Sequence, residues 1–363
     1  MSFASRHRLR IVLALASAIL AAGGCRPTGF AQAGAMGKPG RLESLSDGRF
    51  LNLRCAGRGA PTVLLESGFG AGSEAWFKVQ PTLAATTRTC AYDRAGYGFS
   101  DPGPLPRDGA AIARDIDEGL QHAGLSGPFI VVGHSAGGLY ARLFAARRRL
   151  DVVGLVFLDT TIEQLAPLGR PDADGLGGIR QRLKRCFAAT ETQPTPPLGD
   201  PRWIGCVPRA ADAQALRVAQ RSDTWRGQLS ELDSIFSRTS LEVGRVGDLL
   251  TNIPAYVITA SDTAAAASRI GVDQPRSVWE LQHQQLAASF QRSSQRTVLS
   301  SHLVMIDRPD VVIAAVLEMV KATRKGRPPE PLGASEWTLE AATQPSLGGP
   351  PPPVPQAPPG QIH

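Results

Sequence analysis

A serine set between glycines is the feature of this sequence that points most clearly to chemistry. Residues 130–138 read Ile-Val-Val-Gly-His-Ser-Ala-Gly-Gly, so a β-branched strand runs into a turn at Ser135 and a helical pattern follows. A strand–turn–helix corner of this kind exposes a serine hydroxyl at the top of a sheet. It also places the Ala136 N–H at a helix N-terminus, where it can stabilise an oxyanion. The pattern predicts that Ser135 is a nucleophile.

His302 is the histidine best placed to activate this serine. A serine hydroxyl needs a base to take its proton, and an oriented imidazole is the usual one. His302 follows the last predicted strand and precedes a helix predicted over 310–320, so it lies on a loop at the strand's carboxyl end. The other five histidines are expected near the chain ends, pointing away from the nucleophile, or solvated in polar helical stretches: His7, His363, His134, His122 and His283.

Two aspartates at strand ends are candidates for the acid that orients the base. When such a serine follows a strand of an α/β sheet, the acid comes between the serine and the histidine along the chain. Asp262 comes just after a strand predicted over 255–259, on a loop expected to reach His302. Asp159 directly follows a strand predicted over 153–158. We predict Asp262 as the orienting acid, and Asp159 stays open as the alternative.

A glycine-rich loop supplies a second candidate oxyanion donor. Residues 66–72, which follow a strand predicted over 62–65, read Glu-Ser-Gly-Phe-Gly-Ala-Gly, and glycine lets backbone approach a ligand closely. By placement, the Phe69 N–H is predicted to act together with the Ala136 N–H. The alternative is a phosphate-binding loop, but the Lys-Ser/Thr of a P-loop and the third glycine and acid of a dinucleotide site are missing. No nucleotide or other cofactor is predicted.

The elements that must position these residues alternate between strand and helix. A hairpin around Asp47-Gly48 opens the pattern, and helical stretches over 111–123 and 136–148 lie among the later strands. We predict an α/β fold with a mostly parallel eight-stranded sheet and helices on both faces. The strand-like runs cover 41–45, 50–55, 62–65, 87–92, 129–132, 153–158, 255–259 and 296–299.

The alternation stops between about residues 161 and 252. This stretch holds turn-rich segments and two helical ones, over 210–221 and 228–238. We predict a helical cap above the carboxyl ends of the strands, where ligands of such sheets bind. Caps of this kind shape a substrate cavity.

Both ends of the chain differ in composition from its middle. Basic residues followed by the apolar run 11–22 predict a signal peptide over 1–24, with an uncleaved anchor as the alternative, and a flexible spacer over 25–40. Residues 324–363 are rich in proline and predict a disordered tail. Loss of three arginines with the signal lowers the formal net charge from +7 to +4, and with no basic stripe nucleic acid is an unlikely partner.

Cysteine usage fits an oxidising compartment. Residues 22–25, Ala-Gly-Gly-Cys, resemble the lipobox of bacterial lipoproteins, which implies acylation of Cys25; cleavage after residues 31–33 is the competing possibility. Four cysteines then remain, and their positions predict two disulfides, with buried thiols as the alternative. The predicted pairs are Cys55 with Cys90 and Cys186 with Cys206.

Three motifs together resemble the α/β-hydrolase superfamily, in particular exported or lipid-anchored bacterial serine hydrolases with a single cap. They are the serine motif at 133–138, the run Tyr-Asp-Arg-Ala-Gly-Tyr-Gly-Phe-Ser-Asp at 92–101, and His302 followed by Ile-Asp-Arg-Pro at 306–309. The resemblance covers residues 41–323 and implies that Asp93 and Arg94 are structural. The oxyanion loop departs from the family pattern, since it opens with Ser-Gly instead of His-Gly.

The resemblance implies hydrolysis of an ester, thioester or amide without a cofactor. The serine nucleophile, in place of an aspartate, argues against the haloalkane dehalogenases and epoxide hydrolases of the same superfamily. We expect an ester hydrolase outside the cytoplasm that acts on a small molecule and meets a membrane only through a lipid anchor. An amidase or aminopeptidase and a non-catalytic binding protein are the alternatives. Phe69, Trp76 and Trp225 are expected either to line an acyl pocket or to pack in the core.

Overall fold

The computed structural model describes residues 37–163, 177–192, 196–197, 200–207, 213–263 and 278–331 of the chain. Its centre is one sheet of eight strands in the order β1-β2-β4-β3-β5-β6-β7-β8. β1 and β2 pair antiparallel, β2 also runs antiparallel to β4, and the strands from β3 to β8 are parallel to one another. The predicted fold class is confirmed. The strands are β1 (Arg41–Ser44), β2 (Phe50–Ala56), β3 (Thr62–Glu66), β4 (Thr89–Tyr92), β5 (Phe129–His134), β6 (Val152–Leu158), β7 (Ala255–Ala260) and β8 (Ser293–Val298).

Apolar side chains cover both faces of the sheet, which is why its central strands are continuous apolar runs. Along β3, Leu64 joins one apolar cluster, whereas Val63 and Leu65 join the other. Helices α2 (Gly109–His122) and α3 (Gly137–Arg147) pack into the first cluster. Helices α1 (Gln80–Ala84) and α10 (Pro309–Arg324) pack into the second. The nucleophile candidate therefore lies at the end of a strand that is buried from both sides.

The last strand differs from its prediction. The sequence predicts a strand over 296–299, but β8 spans Ser293–Val298 and most of it is partly or fully exposed. Within the described part of the chain, β8 is an edge of the sheet and pairs with β7 alone. An edge strand does not need an apolar run, so its start carries no hydrophobic signal.

A group of helices lies between β6 and β7, where the sequence predicts a cap. These helices are α4 (Gly177–Glu191), α5 (Ala213–Ala219), α6 (Ser222–Ser234) and α7 (Ser240–Val246). Helix α6 packs against α4, and a single π-helical turn (Ile235–Thr239) joins α6 to α7. Compared with the helix predicted over 228–238, α6 begins at an earlier residue and also ends at an earlier residue. Two further helices, α8 (Val278–Ala288) and the short α9 (Val304–Asp307), follow β7 and β8.

Both predicted disulfides are present. Cys55 and Cys90 are directly opposite each other on the antiparallel strands β2 and β4, with their Cα atoms 4.0 Å apart. Cys186 on α4 is bonded to Cys206, which fastens a cap loop to that helix. A disulfide typically stabilises a fold by about 2–4 kcal/mol.

The predictions made for the two ends of the chain fall mostly outside the described residues. The signal peptide, Cys25 and nearly all of the spacer precede residue 37, and the proline-rich tail continues beyond residue 331. Among the described helices, none is long and apolar enough to cross a membrane.

Candidate active site

Ser135 stands on a strained turn between β5 and α3. Its φ is +51°, in the left-handed region that non-glycine residues rarely adopt. A Cβ at Gly133 would lie 2.7 Å from the Cα of Gly138, and one at Gly137 would lie 2.6 Å from the carbonyl oxygen of Glu66. The flanking glycines are therefore required by backbone packing, as the sequence motif predicts.

The end of β6 holds this turn in place. The Ser135 N–H donates a hydrogen bond to the Leu158 carbonyl at 3.1 Å. The Ser135 carbonyl accepts hydrogen bonds from the Thr161 N–H at 3.0 Å and from the Thr160 hydroxyl at 3.1 Å. The nucleophile turn and the segment after β6 are thus a single hydrogen-bonded unit.

Asp159, and not Asp262, contacts the candidate base. The Oδ2 atom of Asp159 lies 2.6 Å from Nδ1 of His302. Its Oδ1 atom accepts hydrogen bonds from the Ala260 N–H at 3.0 Å and from Nε1 of Trp279 at 2.8 Å. Asp159 is also the one other non-glycine residue with a left-handed φ, +41°, in the described part of the chain. Strain of this kind collects at functional sites.

Contrary to the prediction, the structure does not bring the Asp262 carboxylate to His302. The chain after β7 does meet the His302 loop, but it does so through backbone, since the Asp262 N–H donates to the Ser300 carbonyl at 3.2 Å. The Asp262 side chain is exposed and accepts a hydrogen bond from its neighbour Ser261. The left-handed turn at Asp159 instead directs that carboxylate across the end of β7, whose Ala260 N–H it binds.

Hydrogen bonds keep Asp159 ionised although it is buried. Burial acts to raise the pKa of Asp159, but donors from His302, Thr263, Ala260 and Trp279 outweigh it and hold the pKa below its usual value. An ionised Asp159 fixes the proton of His302 on Nδ1, which leaves Nε2 as the basic nitrogen. The His302 side chain is 43% exposed, whereas Asp159 is fully buried. His302, the candidate base, is therefore open to solvent, whereas Asp159 is not.

His134 does not point away from the site as the sequence predicts. Its Nε2 atom donates to the His302 carbonyl at 2.8 Å, and the two rings lie 4.7 Å apart. Burial, aided by the nearby His302, lowers the pKa of His134 to about 4, so the ring is neutral at physiological pH. A Cβ at Gly68 would come within 2.8 Å of Nδ1 of His134. The His134 side chain is thus packed between the loop that carries His302 and the glycine-rich loop at 66–72.

His283 is buried, contrary to the prediction that it is solvated. It bridges β7 and the end of β6, with Nδ1 2.7 Å from the Thr259 hydroxyl and Nε2 2.8 Å from the Thr160 carbonyl. Burial lowers the pKa of His283, and the neutral ring donates from Nε2. Trp279 and His283 are four residues apart on α8 and so share one face of the helix. This spacing is the signal in the sequence that indicates burial of His283. His122, in contrast, lies in an exposed contact with the Ser44 carbonyl.

The glycine-rich loop is held by side chains that follow β4. The Arg94 guanidinium donates to the carbonyl oxygens of Ser67 at 2.7 Å and of Gly68 at 2.8 Å. The N–H groups of Phe69 and Ala136 donate to no acceptor within the described residues, so both remain able to bind a developing oxyanion. Asp93 is buried and accepts from the Ser73 N–H at 2.8 Å, in keeping with a structural role.

The aromatic residues considered for an acyl pocket divide between core and site. Trp76 is completely buried and donates to the Ser67 hydroxyl at 2.9 Å, so it supports the loop from the core. Trp225 is buried within the cap and donates to the Ala219 carbonyl. Phe69 is partly exposed and remains a candidate for the pocket wall. No group of three potential metal ligands occurs among the described residues.

Comparison with known proteins places the chain in a family. It is 39% identical over 113 residues to a "Probable transporter efuK" of Hormonema carpetanum, and it is 26% identical over 225 residues to the "Putative carbamate hydrolase RutD" of Azorhizobium caulinodans. These matches cover 30% of the chain and 16% of the first protein, and 58% of the chain and 77% of the second. The chain thus spans only a small part of the first of these relatives.

Among solved structures, a loop variant of the haloalkane dehalogenase DbeA from Bradyrhizobium elkanii superposes with a TM-score of 0.58 at 17% identity. The match covers 79% of this chain and 97% of that one, and at this identity it shows a shared fold. The model of the alpha/beta hydrolase family matches residues 63–315, which is more than half of the sequence. The chain is therefore a member of the alpha/beta hydrolase family.

Proposed function

We propose that this protein is a serine hydrolase that cleaves carboxylic esters of small molecules through an acyl-enzyme. The observation that carries the proposal is the 2.6 Å contact between His302 and Asp159. Asp159 and the strained Ser135 both follow the carboxyl ends of parallel strands, β6 and β5. The three residues occur in the chain order Ser, Asp, His. Asp159 takes the place of Asp262 in this proposal.

The reaction assigns a task to each group, and His302 acts in turn as base and as acid. His302 Nε2 removes the hydroxyl proton as Ser135 Oγ attacks the acyl carbon, and the N–H groups of Phe69 and Ala136 stabilise the oxyanion. His302 then gives the proton to the leaving alcohol, and the acyl group stays on Ser135. Water, deprotonated by the same imidazole, attacks the acyl-enzyme, and the imidazolium returns that proton to Ser135 Oγ as the acid leaves.

The nucleophile separates this proposal from the dehalogenase structures of similar fold. Fold alone does not select a substrate, whereas the reacting atoms do. A serine hydroxyl that is activated by a histidine suits attack on a carbonyl carbon. A carbamate, the substrate class in the name of the Azorhizobium relative, also presents a carbonyl carbon, so carbamates belong in the same test.

Among the described acids of the cap, Glu231 is not available to bind the free amine of a peptide, and an ester stays our first choice of substrate. An aminopeptidase would need an unpaired carboxylate in the cap to bind the substrate's α-ammonium. Glu231 of α6 is buried, and Arg94 lies 3.1 Å from its Oε1 atom. Its negative charge is already balanced, so it is not available for that task.

We also propose that the protein is exported, with Cys25 as a lipid anchor. The two disulfides support an oxidising compartment. Membrane fractionation of the Cys25→Ala variant tests the anchor: release of the protein from the membrane fraction supports it, and unchanged membrane association contradicts it.

A fluorophosphonate probe and a substrate panel test the enzymatic proposal. The panel holds p-nitrophenyl esters, an aryl carbamate and aminoacyl anilides, and the variants are Ser135→Ala and His302→Ala. We expect the probe to label the wild type on Ser135, esters to turn over fastest, and both variants to lose at least about 10³-fold in kcat/KM. Failure of the folded wild type to react with the probe would end the proposal, and faster anilide turnover would move it to amides.

A further inference from the structure

A buried ion pair joins the cap to the oxyanion loop. Glu231 lies on cap helix α6, and its Oε1 atom accepts from Arg94 at 3.1 Å and from the Tyr140 hydroxyl at 3.0 Å. Its Oε2 atom accepts from the Tyr97 hydroxyl at 3.0 Å. All four side chains are buried, and the Arg94 guanidinium lies 4.7 Å from the Tyr97 ring. The carboxylate from the cap is thus the centre of a closed polar cluster.

The same cluster holds the loop on both sides of Phe69. Arg94 donates to the carbonyls of Ser67 and Gly68, which precede Phe69. The Tyr97 hydroxyl lies 3.4 Å from the N–H of Gly70, which follows it. The loop residues before and after the candidate oxyanion donor are therefore fixed by two side chains that share Glu231 as a partner.

The cap supplies one of the two carboxylates that contact Arg94. A buried guanidinium costs free energy unless carboxylates compensate it. Arg94 has two such partners, Glu66 at 3.1 Å and Glu231 at 3.1 Å. Glu66 belongs to the sheet itself, at the end of β3, whereas Glu231 is supplied by the cap. Removal of Glu231 would leave Glu66 as the one carboxylate in contact with Arg94 and would free the Tyr97 hydroxyl.

We propose that Glu231 is a positioning residue for the oxyanion hole, acting through Arg94 and Tyr97 on the backbone around Phe69. The inference rests on the proposed function. Cap and oxyanion hole then form one mechanical unit, in which a carboxylate of the cap sets the orientation of the Phe69 N–H. Glu231 itself does not touch the substrate.

The variants Glu231→Gln and Tyr97→Phe test this role. Glu231→Gln removes the charge, while Tyr97→Phe removes one hydroxyl and leaves the ion pair intact. Asp233→Asn is the matched control, because Asp233 lies on the same helix and pairs at the surface with Arg180 at 2.9 Å. For each variant we would measure kcat and KM on the best ester, inhibition by a trifluoromethyl ketone that adopts the tetrahedral form, and the melting temperature.

We expect kcat to fall about 100-fold in Glu231→Gln and about 10-fold in Tyr97→Phe, by analogy with the loss of one oxyanion donor. KM should stay within about 3-fold, and binding of the ketone should weaken in proportion to kcat. Asp233→Asn should match the wild type. A lower melting temperature with unchanged kcat and ketone affinity would overturn the inference in favour of a purely structural role.

Three further outcomes are distinguishable. If Glu231→Gln does not fold, Tyr97→Phe decides alone, and wild-type kcat in that variant contradicts the inference. If the wild type does not turn over esters or carbamates and binds no ketone, the proposed function has failed and the inference falls with it. An active wild type with fully active variants defeats the inference alone.

Discussion

Asp159 and His302 are 143 residues apart in the chain, yet their side chains meet at 2.6 Å. Three features bring them together: the left-handed turn at Asp159, the Ala260 N–H that binds the other carboxylate oxygen, and the loop after β8 that carries His302. None of these features involves the side chain of Asp262. Because Asp159 contacts His302 and Asp262 does not, we expect substitutions at these two aspartates to have different effects.

The substitutions Asp159→Asn and Asp262→Asn should differ strongly in their effect. Asparagine at 159 keeps the shape but favours the wrong tautomer of His302, so we expect kcat to fall by about 10³–10⁴-fold. Asp262→Asn is the control and should stay within about 2-fold of the wild type. Steady-state ester kinetics check both. A crippled Asp262→Asn with an active Asp159→Asn would show that the hydrogen bond at 159 has no part in catalysis.

Trp279→Phe should weaken the orientation of the same carboxylate. Trp279 donates to Asp159 at 2.8 Å and helps to keep its pKa low. Loss of this donor should lower kcat about 10-fold with little change in KM. If Trp279 acts through Asp159, the substitution should have almost no further effect in the Asp159→Asn background. Additive losses in the double variant would mean that Trp279 acts by another route.

Gly68→Ala should damage the site by overpacking. The new methyl group would lie 2.8 Å from Nδ1 of His134 and 3.0 Å from Cβ of Ser135. We expect a destabilisation of about 1–3 kcal/mol and a clear loss of kcat. Gly178→Ala is the matched control, since a Cβ there meets nothing within 4 Å. Urea unfolding and ester kinetics measure the two effects, and a Gly68→Ala variant as stable and active as the control would contradict the packing described above.

His134 should make the fold sensitive to acid. Burial lowers the pKa of His134 to about 4 from an unfolded value of 6.5, so the unfolded chain binds the extra proton more readily between these values. The contribution of the neutral ring to stability is fully present above pH 6.5 and is lost as the pH falls towards 4. The total loss is about 3 kcal/mol.

His134→Gln removes this titration and retains an amide donor for the His302 carbonyl. We expect its unfolding free energy to fall less steeply than that of the wild type between pH 6.5 and pH 4, measured by denaturant titration at each pH. Equal slopes for the two proteins would show that His134 is not held neutral in the fold.

The sheet and the nucleophile turn could be predicted because their signals are local. Central strands buried on both faces are continuous apolar runs, and the crowded corner at Ser135 requires glycines at fixed positions. The start of β8 could not be predicted, because an exposed edge strand carries no such run.

The orienting acid depended on geometry that the sequence does not encode locally. Asp159 and Asp262 both follow apolar strands and both satisfy the expected chain order. The backbone turn at Asp159, with φ of +41°, decides between the two aspartates. The residue types around Asp159 do not predict this turn. The burial of His283 is hidden from the sequence for a related reason. Its neighbours Gln282 and Gln284 are partly exposed, but His283 occupies the inner face of α8.

The ion pair between Arg94 and Glu231 limits how freely this enzyme could change its specificity. Loops above a conserved scaffold are the usual place for new substrates to be accommodated. Here a transplanted lid that lacked an acid at the position of Glu231 would remove one of the two carboxylates that contact Arg94, and under the proposal above it would disturb the orientation of the Phe69 N–H. We therefore expect diversification above the sheet to keep an acid at that position.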